Sequence, residues 1–198
     1  MDHLQKRLIV LRSWLGAKEY FTALKAMEFA RTHHTGTRKD GVTPEFSHQT
    51  FIALYLKTVS KYLLFPEETF VVSFCHDLME DHSRSHGEIL NRFGERSAKA
   101  TEILSKKYQG IAKTMEYYYQ EVAGNPISSV DKGADRIHNI QSMHGAFTKE
   151  KQDEYIEETE KFVLPMIKTA KRNFPEQEPV YENIKLILIS QIELIKLK

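Results

Sequence analysis

Apolar residues recur three and four positions apart along almost the whole chain, while alternating β-branched runs bounded by turn dipeptides do not recur. That spacing puts an apolar stripe on each of a series of helices and leaves little material for a sheet. The expected fold class is all-α, a helical bundle of roughly eight to ten helices. The 198 residues fit one domain, 1–198, by the usual size of about 100–200 residues per domain. Hydrophobic residues at 41% and charged residues at 28% exclude wholesale disorder.

Leu4, Leu8, Leu11 and Leu15 fall at helical spacing and predict a first helix ending near Gly16. A second is predicted over about 18–33, with Tyr20, Leu24 and Met27 on its apolar face and Gly36 closing it. A loop follows over 37–47 and a helix over about 48–62. Pro66, with Glu67 and Glu68 behind it, marks the start of a mostly apolar helix over about 67–81. Further helices are predicted over 85–93, 95–108, 117–123, 127–143 and 149–172, with a last one over about 180–198.

Lys and Arg number 28 against 27 Asp and Glu, a net charge of +1, so a nucleic-acid partner held by bulk electrostatics is not expected. Cys75 stands alone, which excludes an intrachain disulfide and a cysteine zinc cluster. Residues 1–7 do not lead into an apolar run with a small-residue cleavage site. The apolar stretch 184–197 carries Lys185, Glu193 and Lys196 and is too short to span a bilayer. The expectation is a soluble, cytoplasmic protein with no membrane partner.

The informative residues are the charged ones that interrupt apolar runs. After Val71-Val72-Ser73-Phe74-Cys75 come His76, Asp77, Glu80 and Asp81 within six residues. His76 and Glu80 share a helical face, as do Asp77 and Asp81. Burying such groups unpartnered costs several kcal/mol each, and a divalent metal is the natural compensating charge. The mixed nitrogen and oxygen donors suit Mn²⁺, Fe²⁺ or Zn²⁺ better than Ca²⁺. The plainer reading is an exposed helix end. A second constellation places Asp135 on one face with His138 and Asn139, between Ala134 and Ile137; its plainer reading is an acid paired with Arg136 at the surface. A third element is His48, set among Phe46, Phe51, Ile52 and Leu54, where a lone histidine is ordinarily a hydrogen-bonded core residue. Taken together, His48, His76, Asp77 and Asp135 would make a mononuclear site with positions left for water and substrate.

A His, then a His-Asp pair, then a distant Asp on an all-α scaffold resembles the HD-domain metal phosphohydrolases. The closer resemblance is to the RelA/SpoT-type hydrolase domain and its small stand-alone relatives, which remove the 3′-pyrophosphate from guanosine alarmones using Mn²⁺. Residues 34–48, His-Thr-Gly-Thr-Arg-Lys-Asp-Gly-Val-Thr-Pro-Glu-Phe-Ser-His, are similar to that family's His-x-Gly-Gln-x-Arg-Lys-x-Gly-x-Pro-Tyr-x-x-His-Pro. His76-Asp77-Leu78-Met79-Glu80-Asp81 resembles its His-Asp-x-x-Glu-Asp, and Lys132-Gly133-Ala134-Asp135-Arg136-Ile137-His138-Asn139 its Lys-Leu-Ala-Asp-Arg-Leu-His-Asn. Residues 158–165 resemble the helix that follows. The likeness covers a core of about 23–172, and the expectation is a hydrolase-only chain without the family's nucleotide-synthesising domain.

The resemblance implies that His48, His76, Asp77 and Asp135 hold one divalent metal, Mn²⁺ with Fe²⁺ or Zn²⁺ as alternatives. It implies that Glu80 and Asp81 position or deprotonate the attacking water. Arg38 would cover the base, Lys39 would sit near the phosphates, and Asn139 and Ser142 would line the pocket. Arg is planar and permanently charged, and Lys is a point charge suited to phosphate. The chain departs from the pattern at Thr37, at Glu45 in place of Tyr, and at Gln49 in place of Pro. Glu45 puts an acid near the nucleotide entrance and admits adenosine as well as guanosine alarmones. Two further readings remain: an HD-domain 5′-phosphohydrolase of (deoxy)nucleotides, and a nucleotide-binding regulator without catalysis.

Other residues invite plainer readings. Cys75 reads as core. His33 and His34 end a helix, where a cation complements the dipole, and read as caps. His82 and His86 lie too close to the His-Asp pair to resemble the extra ligands of dinuclear relatives. Tyr117, Tyr118 and Tyr119 read as bundle packing. The terminal helix is expected to close the core, with pairing into a homodimer as the alternative.

Overall fold

A computed structural model describes residues 2–108 and 110–197. Its helices are α1 (His3–Ala17), α2 (Phe21–His33), α3 (Ser47–Val59), α4 (Pro66–Cys75), α5 (His86–Phe93) and α6 (Glu95–Leu104). After a two-stranded hairpin come α7 (Met115–Ala123), α8 (Pro126–Ser142), α9 (Lys149–Glu158), α10 (Leu164–Asn173) and α11 (Glu178–Lys196). The all-α expectation holds, and α9 runs through a π-turn, Thr159–Val163, into α10.

α8 is the central rod. The Asn125 carboxamide oxygen accepts from the N–H groups of Ile127 and Ser128, and Pro126 occupies the first turn, where its missing N–H costs nothing. This cap sets the register that turns Ile127, Val130, Ala134, Ile137 and Ile140 into the core. α3, α4, α6, α7, α10 and α11 all pack on α8. The approach of α11 depends on a missing side chain: a Cβ on Gly133 would lie 2.8 Å from Ile184 Cγ2. α11 buries Val180, Tyr181, Ile184, Leu188 and Ile192, so it closes the core as expected. Tyr118, Tyr119 and Cys75 are buried as well.

Four boundaries differ from the spacing. The second helix begins at Phe21 rather than near Lys18, because Glu19 takes a positive φ of 60°. The helix expected to run through Asp81 ends at Cys75: Leu78 N–H turns back to Cys75 C=O, and residues 76–82 form successive turns with Leu78 and Met79 buried. The helix expected to reach Tyr108 stops at Leu104. Lys107–Tyr108 and Ile111–Ala112 form an antiparallel hairpin turning at Gly110, whose φ is 82°. The long helix over 149–172 is interrupted ahead of Pro165, whose ring has no N–H and crowds the carbonyl four residues back; the wider π-turn absorbs that conflict. Among the described residues, no helix is long and apolar enough to cross a membrane.

Candidate active site

The N-terminus of α3, the turns after α4, the middle of α8 and the loop before α3 meet around a cavity of about 490 Å³. Arg38, Lys39, His48, His76, Asp77, Glu80, Asp81, Asp135 and Asn139 all line it. Of the residues expected to hold metal, move the proton or bind substrate, Ser142 alone is outside that lining; it adjoins through Arg38, whose Nη2 donates to Asn139 Oδ1 at 3.0 Å and to Ser142 Oγ at 3.3 Å.

His48, His76 and Asp77 each present a ligand atom, all within 4.8 Å of one another. Asp135 joins them through Oδ1, 3.1 Å from His48 Nε2. His76 Nε2 is buried without a hydrogen-bond partner among the described residues, 3.0 Å from Asp77 Oδ2. Such an orphaned nitrogen beside a carboxylate and a second imidazole is a donor set that fits a divalent transition ion. Behind the ring, His76 Nδ1 lies 3.1 Å from the Ser73 carbonyl and 3.8 Å from Asp131 Oδ2, the kind of support that fixes a ligand's tautomer. His48 is supported in the same way: its Nδ1 is 2.7 Å from His138 Nδ1.

Electrostatics follow from burial. Desolvation disfavours the charged His76 ring, but Asp77 and Asp131 outweigh it and raise its pKa to about 10. Desolvation lifts the Asp131 carboxyl to about 7, and neither of its oxygens has a hydrogen-bond partner among the described residues. Burial opposes ionisation of Asp135, yet Lys132 and His48 hold its pKa well below the ordinary range. Asp135 therefore pairs with Lys132, whose Nζ is 2.7 Å from Oδ2, and not with Arg136 at the surface; Arg136 is buried and pairs with Glu158 at 2.8 Å. Desolvation, Asp77 and Glu80 together raise the pKa of Asp81. Glu80 is solvent-exposed and accepts from the Lys106 N–H at 2.8 Å, which anchors the hairpin to the cavity wall.

Sequence spacing assigned no role to several residues that line the cavity. These include Gln49, which donates to Asp77 Oδ2 at 3.3 Å, together with Lys106, Asp131 and Lys132; Tyr118, expected only as packing, lines it too. For Lys132 and Asp131 the signal was present as charges on the apolar side of α8. For Lys106 there was none, because its place depends on the hairpin. His34 and His82 are the clearest revision. His34 does cap α2 through its backbone, but its ring turns inward to meet Glu45 and His82.

No family model matches the chain. Guanosine-3′,5′-bis(diphosphate) 3′-pyrophosphohydrolase of Aquifex aeolicus is 29% identical over 147 residues, covering 72% of this chain and 20% of that protein. GTP pyrophosphokinase rsh of Brucella melitensis is 25% identical over 150 residues, covering 72% of this chain and 19% of that one. The chain thus spans about a fifth of the length of these curated relatives. A solved structure of a metazoan ortholog of SpoT, described as hydrolyzing ppGpp and playing a role in starvation responses, matches with a TM-score of 0.64 at 17% identity. That match covers 82% of this chain and 93% of the other. In sequence, and in its all-α fold, the chain is similar to the RelA/SpoT-type hydrolases.

Proposed function

We propose that this chain is a divalent-metal-dependent hydrolase that removes the 3′-pyrophosphate from a guanosine or adenosine alarmone. The observation that carries the reading is the meeting, in one cavity, of the His48, His76, Asp77 and Asp135 donors with Arg38, Lys39, Glu80 and Asp81. The Aquifex aeolicus relative, named for the same reaction, supports the substrate class.

His48, His76, Asp77 and Asp135 would hold the ion, Mn²⁺ by the family resemblance, with Fe²⁺ or Zn²⁺ also suited to these donors. When bound, such an ion supplies Lewis acidity toward a phosphoryl oxygen and eases the deprotonation of water. Glu80 and Asp81 take up the proton of the attacking water. Water adds to the phosphorus bonded to O3′, the P–O3′ bond breaks, and a proton returns to O3′ as pyrophosphate leaves. Asn139 and Ser142 fix the plane of the Arg38 guanidinium, so that its flat face can cover a purine. Lys39, exposed at the rim, serves the phosphates as a point charge.

The test is product identity. Protein with Mn²⁺ is offered ppGpp, pppGpp, ppApp and a panel of dNTPs and dNMPs. Pyrophosphate and a nucleoside 5′-phosphate product with a free 3′-hydroxyl from an alarmone support the reading and identify the base. Phosphate or triphosphate released only from the 5′ side of deoxynucleotides would replace it with a 5′-nucleotidase. Silence on every substrate with metal bound would leave a nucleotide-binding regulator.

A further inference from the structure

A second cluster of metal-type donors lies apart from the four residues above. Three elements that are distant in sequence supply it: His34 at the end of α2, Glu45 in the loop before α3, and His82 in the turns after α4. His34 Nδ1 and His82 Nε2 are 3.0 Å apart. Glu45 Oε1 is 3.3 Å from the first and 3.1 Å from the second. The two rings meet edge-on, with centroids 4.4 Å apart and planes at 79°.

Hydrogen bonding cannot satisfy this triangle. If both ring nitrogens donate to the carboxylate, two N–H groups face each other across 3.0 Å. If His82 donates to both neighbours, the bare His34 nitrogen faces the carboxylate at 3.3 Å. With Glu45 ionised, each placement of the ring protons leaves one unfavourable edge. A single cation makes all three edges favourable. Bonds of about 2.0–2.2 Å at tetrahedral angles separate ligand atoms by about 3.3–3.6 Å, a few tenths of an ångström wider than the 3.0–3.3 Å found here. The His34 side chain is fully buried, and Nδ1 is the ring atom that faces Glu45 and His82. Glu45, which departs from the family pattern at its Tyr position, also lines the main cavity.

We infer that His34, Glu45 and His82 form a second divalent-metal site of the zinc class at the rim of the cavity, with three protein ligands and an open position. His₂Glu with an open fourth position is a recurrent zinc arrangement, and the site needs no ligand from the cavity floor. It is independent of whether the cavity hydrolyses alarmones.

Metal-free protein is titrated with Zn²⁺ alone by calorimetry, with stoichiometry read by elemental analysis. His82→Gln, Glu45→Gln and Asp77→Ala are run in parallel after their circular dichroism is matched to wild type. The expected result is two equivalents in the wild type, one in each single variant, and none in Asp77→Ala combined with His82→Gln. Asp77→Ala leaves the rim untouched, so its remaining equivalent, repeated with Co²⁺, should give the visible bands of a low-coordinate His₂Glu ion. One equivalent in the wild type, lost in Asp77→Ala, would overturn the site. Two equivalents that survive both His82→Gln and Glu45→Gln would also overturn it. One equivalent lost in His82→Gln but kept in Asp77→Ala would support the rim site and count against the metal reading of the floor.

Discussion

His48 Nδ1 lies 2.7 Å from His138 Nδ1, and His48 Nε2 lies 3.1 Å from Asp135 Oδ1, so one buried ring is held from both ends by α8. Burial keeps both rings neutral, with His138 lowered to about 3 by desolvation and then by His48. A neutral His48 has one N–H. When that proton sits on Nδ1 and is donated to His138, Nε2 is free to ligate. His138 thus sets the tautomer of His48. His138→Leu is expected to weaken Mn²⁺ binding by about 10–100-fold while the fold persists. Calorimetric titration with Mn²⁺ measures this, and an unchanged affinity would remove the positioning role.

Glu80 lies at the cavity edge, where its carboxylate accepts from the Lys106 N–H. If it handles the water proton, Glu80→Gln should keep metal stoichiometry and lose turnover by about 10²–10⁴-fold. Steady-state kinetics beside a metal assay separate the two effects. Full activity in Glu80→Gln would move the role to Asp81.

Glu158 is the anchor between α9 and the rest of the bundle. Its Oε1 accepts from Lys106 Nζ at 2.8 Å, Arg136 Nη2 at 2.8 Å and Tyr119 Oη at 2.7 Å. Burial opposes its ionisation, but Arg136 and the Lys106 bond win and lower its pKa from 4.5 to about 2. A carboxylate held below its unfolded value adds stability above about pH 4.5, and that stability drains away as pH falls toward about 2. Glu158→Gln is expected to lose about 2–4 kcal/mol at pH 7, since it also leaves buried Arg136 unneutralised. Urea unfolding at several pH values should show the gap to wild type narrowing below about pH 4.5. A gap independent of pH would contradict the charge argument.

Gly133 is required by packing rather than by backbone conformation. A Cβ there would stand 2.8 and 2.9 Å from Ile184 Cγ2 and Cδ1, and isoleucine is stiff at χ1. Gly133→Ala should destabilise by about 1–3 kcal/mol. Adding Ile184→Ala should cost less than the sum of the single changes, because the clash is gone. Strict additivity in denaturant unfolding would mean that α8 and α11 are not in contact there.

The fold class and most helices were legible because each helix buries one stripe at regular spacing. The gathering of His48, His76, Asp77 and Asp135 was legible for a related reason: each is polar within an apolar run and so demands a partner. What escaped was set by contacts between distant segments. The early end of α4 depends on Leu78 and Met79 folding under the turn, and the hairpin at Lys107 depends on Glu80. His82 meets Glu45 and His34 across 37 and 48 residues of sequence, a separation that no local pattern encodes. Asp135 stands out in the sequence, but the pairing with Arg136 does not form: the cation three residues before it, and not the one after it, faces the same side of α8.

The most direct measurement is pyrophosphate release from ppGpp by metal-stripped protein with Mn²⁺ added back, in wild type and in Asp77→Ala. The account expects no release without metal, release on adding Mn²⁺, and loss by far more than about 10-fold in Asp77→Ala. Release that is indifferent to Mn²⁺ or to Asp77→Ala would contradict it.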